Sequence, residues 1–116
     1  MIMISIRSAD RDTTGFLRAV GHAGAEHGQR GSNLVCAAAT AIFGALQSNL
    51  RRIDGLSLQE KVDSGNVLLE WSGDGESIKT ANRAALFSRY ALTDLSAEYP
   101  GSIDVRWIGG DGDDSC

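Results

Sequence analysis

The sequence has few cysteine, proline and aromatic residues. Among 116 residues there are two cysteines, one proline and 6% aromatic residues. Cysteines as unevenly placed as Cys36 and Cys116 do not make a disulfide framework, so a reducing cytoplasm is the simplest expectation. No apolar run approaches the length that crosses a membrane, and the N-terminus lacks the basic and long apolar parts of a signal peptide.

Positive charge is also scarce. Lys and Arg number 11 against 15 Asp and Glu, which gives a net charge of −4. Because nucleic-acid affinity depends mainly on cations that neutralise phosphates, we expect no direct nucleic-acid binding. The apolar content of 42% is enough for a chain of this length to bury one core without metal or disulfide. We therefore expect a single domain.

The spacing of apolar residues predicts seven elements of secondary structure. In chain order these are strands over 1–9 and 14–20, a helix over 33–53, strands over 57–62 and 67–71, a helix over 78–95 and a strand over 103–108. The order β-β-α-β-β-α-β is typical of an α+β domain with a mainly antiparallel sheet and both helices on one face. The domain spans residues 1–108. Residues 109–116 are too polar and glycine-rich to order, which predicts a disordered acidic tail.

Residues 22–32 lie between the second strand and the first helix. They carry Gly24, Gly28 and Gly31 among polar side chains and have no helical or strand period, which predicts a mobile loop. These glycines do not make a nucleotide-binding loop, because no lysine follows at the required position.

His22 and Cys36 lie on either side of this loop and form the candidate catalytic pair. With Asn33 as N-cap, Cys36 is the third residue of the helix, so its thiol lies at the positive end of the helix dipole, which favours the thiolate. The loop can bring His22 beside that thiol, and the unbonded N–H groups of the first turn can bind an oxyanion. Thr40 follows one turn later on the same helix face, where it can contact substrate.

Three other interpretations of these residues stay open. A cysteine followed by alanines in a helix is often a small buried apolar residue. An exposed, activated Cys36 also suits a thiol redox sensor, which oxidises but cleaves no peptide. Zinc would need Cys36, Cys116, His22 and His27 together, but their spacing matches no short zinc motif, and we expect no metal and no cofactor.

At these positions the chain resembles a known family, the ribosomal-processing cysteine proteases called Prp. The family pattern is Gly-His-Ala, a glycine-containing loop, and Asp-Ile-Val-Cys-Ala-Ala with a serine soon after. The matching segments are Gly21-His22-Ala23 and residues 33–38, with Thr40 where the serine would fall. The resemblance implies that His22 is the base, that Cys36 is the nucleophile, and that the protein is a homodimer. It also implies removal of the N-terminal extension of a large-subunit ribosomal protein during ribosome assembly.

The resemblance adds a role for the loop and one point of departure. The loop would close over an extended peptide substrate and exclude water; its glycines are Gly21, Gly24, Gly28 and Gly31. Asn33 stands where the family has aspartate; asparagine still caps a helix and can orient an imidazole, but it carries no charge. A non-catalytic ribosome-assembly or protein-interaction module of the same fold is therefore the alternative function.

Overall fold

The computed structural model describes residues 1–22 and 33–109. The strands are β1 (Ile2–Arg7), β2 (Gly15–Val20), β3 (Ser57–Asp63), β4 (Asn66–Ser72) and β5 (Ile103–Trp107); the helices are α1 (Leu34–Arg51) and α2 (Gly75–Glu98). The predicted order β-β-α-β-β-α-β is confirmed. The predicted mobile loop and disordered tail lie outside the described residues, apart from Gly21, His22 and Gly109.

Two element boundaries differ from the prediction for reasons of hydrogen bonding. The first strand ends at Arg7 and not at Ala9, because the Asn82 side chain accepts from the Ala9 N–H at 2.8 Å and donates to the Ala9 carbonyl at 2.9 Å. The second helix begins at Gly75, ahead of Ile78, its first buried apolar residue. Its N-cap is Asp74, whose carboxylate accepts the Ser77 N–H at 3.0 Å.

The five strands form one sheet in the order β3-β4-β2-β1-β5. β1 pairs parallel with β5, and the other neighbours are antiparallel. Alternate residues point to opposite faces, so the register puts one set of apolar side chains on a single inner face. The fully buried members of this set are Ile2, Ile4, Ile6, Leu17, Ala19, Leu69, Trp71 and Ile103.

Both helices cover this inner face and contact each other. From α1 the buried residues are Val35, Ala39, Phe43, Leu46 and Leu50, which follow the three- and four-residue spacing of one helix face. α2 contributes Ile78, Ala81, Ala85 and Leu92 to the same core. The predicted α+β class, with both helices on one face of a mainly antiparallel sheet, is confirmed. No helix in the described part of the chain is both long and apolar enough to span a membrane.

Pairing between β2 and β4 positions the candidate site. Val20, the last residue of β2, lies opposite Asn66, the first of β4. The Gly21 N–H then donates to the Gly65 carbonyl at 2.9 Å, which extends the ladder into the β3–β4 turn. The segment that carries His22 therefore leaves the sheet directly beside this turn.

Candidate functional site

A groove of about 700 Å³ lies between the N-terminal half of α1 and the β3–β4 hairpin. Most of its lining residues come from three parts of the chain. Gly21 and His22 come from the end of β2; Asn33, Cys36, Thr40 and Gln47 come from α1 and its cap; Val62, Asp63, Ser64 and Asn66 come from the hairpin. The structure thus brings His22, Asn33, Cys36, Thr40 and Gly21 together around one groove.

Cys36 lies in the first turn of α1 and is half-buried. Asn33 is the N-cap, with φ −72° and ψ 117°, and its Oδ1 accepts the Cys36 backbone N–H at 3.0 Å. The Asn33 carbonyl accepts the Ala37 N–H at 3.0 Å, which is the first hydrogen bond of the helix. The predicted N-cap is therefore present, and the amide of Cys36 is bonded to it and does not belong to the unbonded N–H groups of this turn.

The other amides of the first turn belong to Leu34 and Val35, which do not line the groove, and Val35 is fully buried. No acceptor among the described residues bonds to either N–H group. Both amides point toward the N-terminal end of α1, the positive end of the helix dipole. An anion that lies beside the Cys36 thiol at this end of the helix is therefore stabilised by the dipole.

His22 is exposed and its imidazole lies over Gly65 in the β3–β4 turn. A Cβ atom at Gly65 would lie 2.6 Å from the His22 Nε2 atom, which is closer than a real contact allows. Gly65 also has φ +75°, a conformation that residues with a side chain rarely adopt. The positive φ therefore favours glycine here, and a side chain at this position would displace the imidazole.

Thr40 lies one turn after Cys36 on the exposed side of α1 and lines the groove. Gly44 lines it one turn further on, and Gln47 is the last residue of α1 to do so. The Gln47 Nε2 atom donates to the Glu60 Oε1 atom of β3 at 2.7 Å, and the Arg51 Nε atom donates to the same oxygen at 2.8 Å. These bonds hold the Glu60 pKa below its usual range, with the Gln47 bond as the larger cause.

Several residues named from the sequence lie outside the described part of the chain. They are Gly24, Gly28 and Gly31 of the predicted substrate loop, together with His27 and Cys116. Among the described residues, no group of three or more His, Cys, Asp and Glu side chains is close enough to hold a metal ion.

Sequence reasoning missed the hairpin side of the groove. The segment from Asp63 to Asn66 reads in the sequence only as turn chemistry, and Val62 only as a strand residue. They reach the groove because β4 pairs with β2, and apolar alternation does not specify which strands pair. The sequence therefore carries no local signal for this half of the site.

Comparison with known proteins identifies a family. A family model described as cysteine protease Prp matches residues 1–104. This match covers most of the chain, and together with the α+β fold it defines the protein as a cysteine protease. The chain belongs to the Prp family. No curated protein gave a match.

Solved structures show the same fold at low sequence identity. Two are crystal structures of the essential ribosomal processing protease Prp from S. aureus. The complex with a covalently linked product peptide has a TM-score of 0.68 at 22% identity, and the complex with a substrate peptide has 0.66 at 21%; each match covers 92% of this chain and 99% of that one. The protein SMU.848 from Streptococcus mutans has a TM-score of 0.57 at 22% identity, over 92% and 96% of the two chains.

Proposed function

We propose that this protein is an endopeptidase that removes the N-terminal extension of a large-subunit ribosomal protein during ribosome assembly, with Cys36 as nucleophile and His22 as base. The observation that carries the proposal is the shared groove: His22, just after β2, and Cys36, in the first turn of α1, line the same cavity. The S. aureus relative is described as a ribosomal processing protease that binds peptides, which supports the same substrate class here.

The mechanism follows from the groups present in the groove. His22 takes the thiol proton, and the Cys36 Sγ atom attacks the scissile carbonyl carbon, forming a C–S bond and an oxyanion. The oxyanion lies at the N-terminus of α1, where the helix dipole stabilises it. His22 then gives its proton to the leaving amine as the C–N bond breaks. A water molecule, deprotonated by His22, attacks the thioester and releases the acid and the free thiol.

Asn33 and Thr40 have supporting roles in this proposal. Asn33 fixes the backbone of Cys36 through the cap bond, and Thr40 contacts the substrate one helical turn away. Gly21, at φ +110°, directs the chain from β2 toward the groove. The loop glycines Gly24, Gly28 and Gly31 let the segment before α1 close over the peptide. We place the enzyme in the cytoplasm, where ribosomal substrates and a reduced thiol occur together.

A cleavage assay with three proteins tests the proposal. Wild type, Cys36→Ala and His22→Ala are incubated with a synthetic peptide that spans the extension and the first mature residues of the ribosomal protein from the same genome. Wild type cleaves at one bond, Cys36→Ala cleaves none, and His22→Ala is slower by about 10²- to 10⁴-fold, the usual contribution of a general acid–base group. Cleavage that persists in Cys36→Ala contradicts the nucleophile assignment.

The alternative, a non-catalytic module of the same fold, is favoured by one observation. Asn33 is neutral where the family pattern has a carboxylate, so the helix start lacks a negative charge that would raise the basicity of His22. The module binds the peptide without cutting it. Binding to wild type with no product, measured by fluorescence anisotropy and mass spectrometry on the same samples, supports this alternative over the protease.

A further inference from the structure

An apolar residue on the core-facing side of the sheet is left uncovered inside the groove. Val62 of β3 lies opposite Val67, and its neighbours on the same face, Leu58 and Glu60, lie opposite Trp71 and Leu69 in the core. This register puts Val62 on the inner face, yet 54% of its surface is exposed. Apolar surface that faces the helix layer and remains exposed is suited to contact with an apolar ligand group.

The part of α1 that lines the groove has a glycine where a side chain would fit. A Cβ atom at Gly44 would meet no atom within 4 Å. Neither a clash nor a positive φ requires glycine at this position, and glycine inside a helix is less stable than alanine. Because Gly44 has no side chain, space remains on the helix side of the groove, and Val62 stays accessible to solvent.

The groove ends at a bridge between α1 and β3. Glu60 accepts from both Gln47 and Arg51, as described above, and Gln47 is the last residue of α1 in the lining. With a rise of about 1.5 Å per helical residue, the distance along α1 from Cys36 to Gln47 is about 16 Å. An extended peptide advances about 3.3 Å per residue, so about five residues fit between the thiol and the bridge.

Building on the proposed function, we propose that the groove binds about five extended substrate residues on one side of the cleaved bond, and that Gly44 and Val62 form an apolar subsite that selects an apolar side chain among them. The two residues are specificity-determining: Gly44 supplies the space and Val62 the apolar contact. Neither touches the reacting atoms. The Gln47–Glu60–Arg51 bridge sets the far limit of recognition.

The subsite is tested by filling the space beside Val62. Gly44→Leu lowers kcat/KM for the peptide by tenfold or more, mainly through a higher KM, because a methylene in a specificity pocket changes discrimination by about 10- to 200-fold. Val62→Ser also lowers kcat/KM, because the apolar contact is lost although no bulk is added. Ala45→Leu is the matched control, because Ala45 lines a separate cavity between α1 and α2. Ala45→Leu leaves kcat/KM unchanged.

Two further readouts separate the subsite from the catalytic groups. The rate at which iodoacetamide alkylates Cys36 is the same in wild type and Gly44→Leu, because that reagent is too small to need the subsite. Peptides trimmed from each end lose cleavage only when fewer than about five residues remain on one side. Replacing the apolar residue within those five by aspartate has the largest effect.

The outcomes distinguish the inference from the function on which it rests. Cleavage by wild type with equal kcat/KM for Gly44→Leu and Ala45→Leu overturns the subsite and leaves the protease assignment standing. A requirement that extends well past five residues on both sides overturns the role of the bridge as a limit. No cleavage of any peptide by wild type overturns the proposed function itself.

Discussion

Asn33 has two roles at the start of α1, one in capping the helix and one in holding the catalytic candidate Cys36. Its Oδ1 atom accepts the Cys36 N–H and its carbonyl accepts the Ala37 N–H, so the residue both begins α1 and fixes the backbone of the cysteine. It is 4% exposed, which excludes water as a replacement partner for the cap bond. Loss of the side-chain oxygen would therefore affect stability and the position of the thiol together.

Asn33→Ala is expected to lower the free energy of unfolding by about 1 kcal/mol, the usual cost of removing an N-cap. It also lowers kcat/KM, because the first turn of α1 frays around Cys36. Asn33→Asp and Asn33→Ser retain both properties, since carboxylate and hydroxyl oxygens also accept the amide. Urea denaturation and peptide cleavage on the same four proteins provide the measurement. Equal stability of Asn33→Ala and wild type would show that the cap bond contributes nothing.

At the scale of elements, the stability of α2 depends on its N-cap Asp74, whose carboxyl group titrates. The pKa of Asp74 lies below its ordinary value of 3.8, chiefly because the Ser77 backbone N–H donates to the carboxylate, with the Ser77 side chain as the second cause. A carboxylate with a lowered pKa in the folded state contributes stability that is fully present above the unfolded value. That contribution is lost as the pH falls through the folded value, in the range below 3.8.

The pH dependence of unfolding is expected to change when the cap no longer titrates. Asp74→Asn matches wild type closely at pH 7, because asparagine caps as well as aspartate does. Below pH 3.8 wild type loses stability more steeply than Asp74→Asn, whereas Asp74→Ala is weaker already at neutral pH. Thermal unfolding of the three proteins between pH 3 and 7 tests this. Parallel curves for wild type and Asp74→Asn would show that Asp74 contributes nothing to acid sensitivity.

The elements also show how far sequence reasoning extends. Local signals were sufficient for α1, since Asn33 and the spacing from Val35 to Leu50 mark its start and its buried face. They were insufficient for α2, whose first turn is polar and whose start depends on Asp74. Apolar alternation predicted the strands but not the parallel pairing of β1 with β5 or the contact of β2 with β4. The groove depends on those long-range pairings, so the sequence indicated Cys36 and His22 but not Val62 or Asp63.

At the scale of the whole molecule, the sheet has one covered face and one open face among the described residues. On the open face Met3 and Val20 lie directly opposite each other in the β1–β2 ladder and are 44% and 41% exposed. An adjacent apolar pair of this kind is stabilised by contact with another surface. The Prp resemblance implies a homodimer, and we propose that a second copy covers this pair. Val20 is two residues from His22, so the interface would lie next to the groove.

This arrangement makes a prediction about mass in solution. In sedimentation velocity at micromolar concentration, wild type is expected at twice the 12.3 kDa mass of one chain. Met3→Lys and Val20→Lys shift it toward the monomer, because each would bury an unpaired charge in the contact. Phe87→Lys is the matched control: Phe87 is the most exposed aromatic side chain of α2 at 63% and lies in the helix layer, on the other side of the molecule. If Phe87→Lys dissociates the dimer and Val20→Lys does not, the interface lies on the helices and not on the sheet. If wild type is a monomer, the dimer proposal is wrong and the open face of the sheet is in contact with solvent.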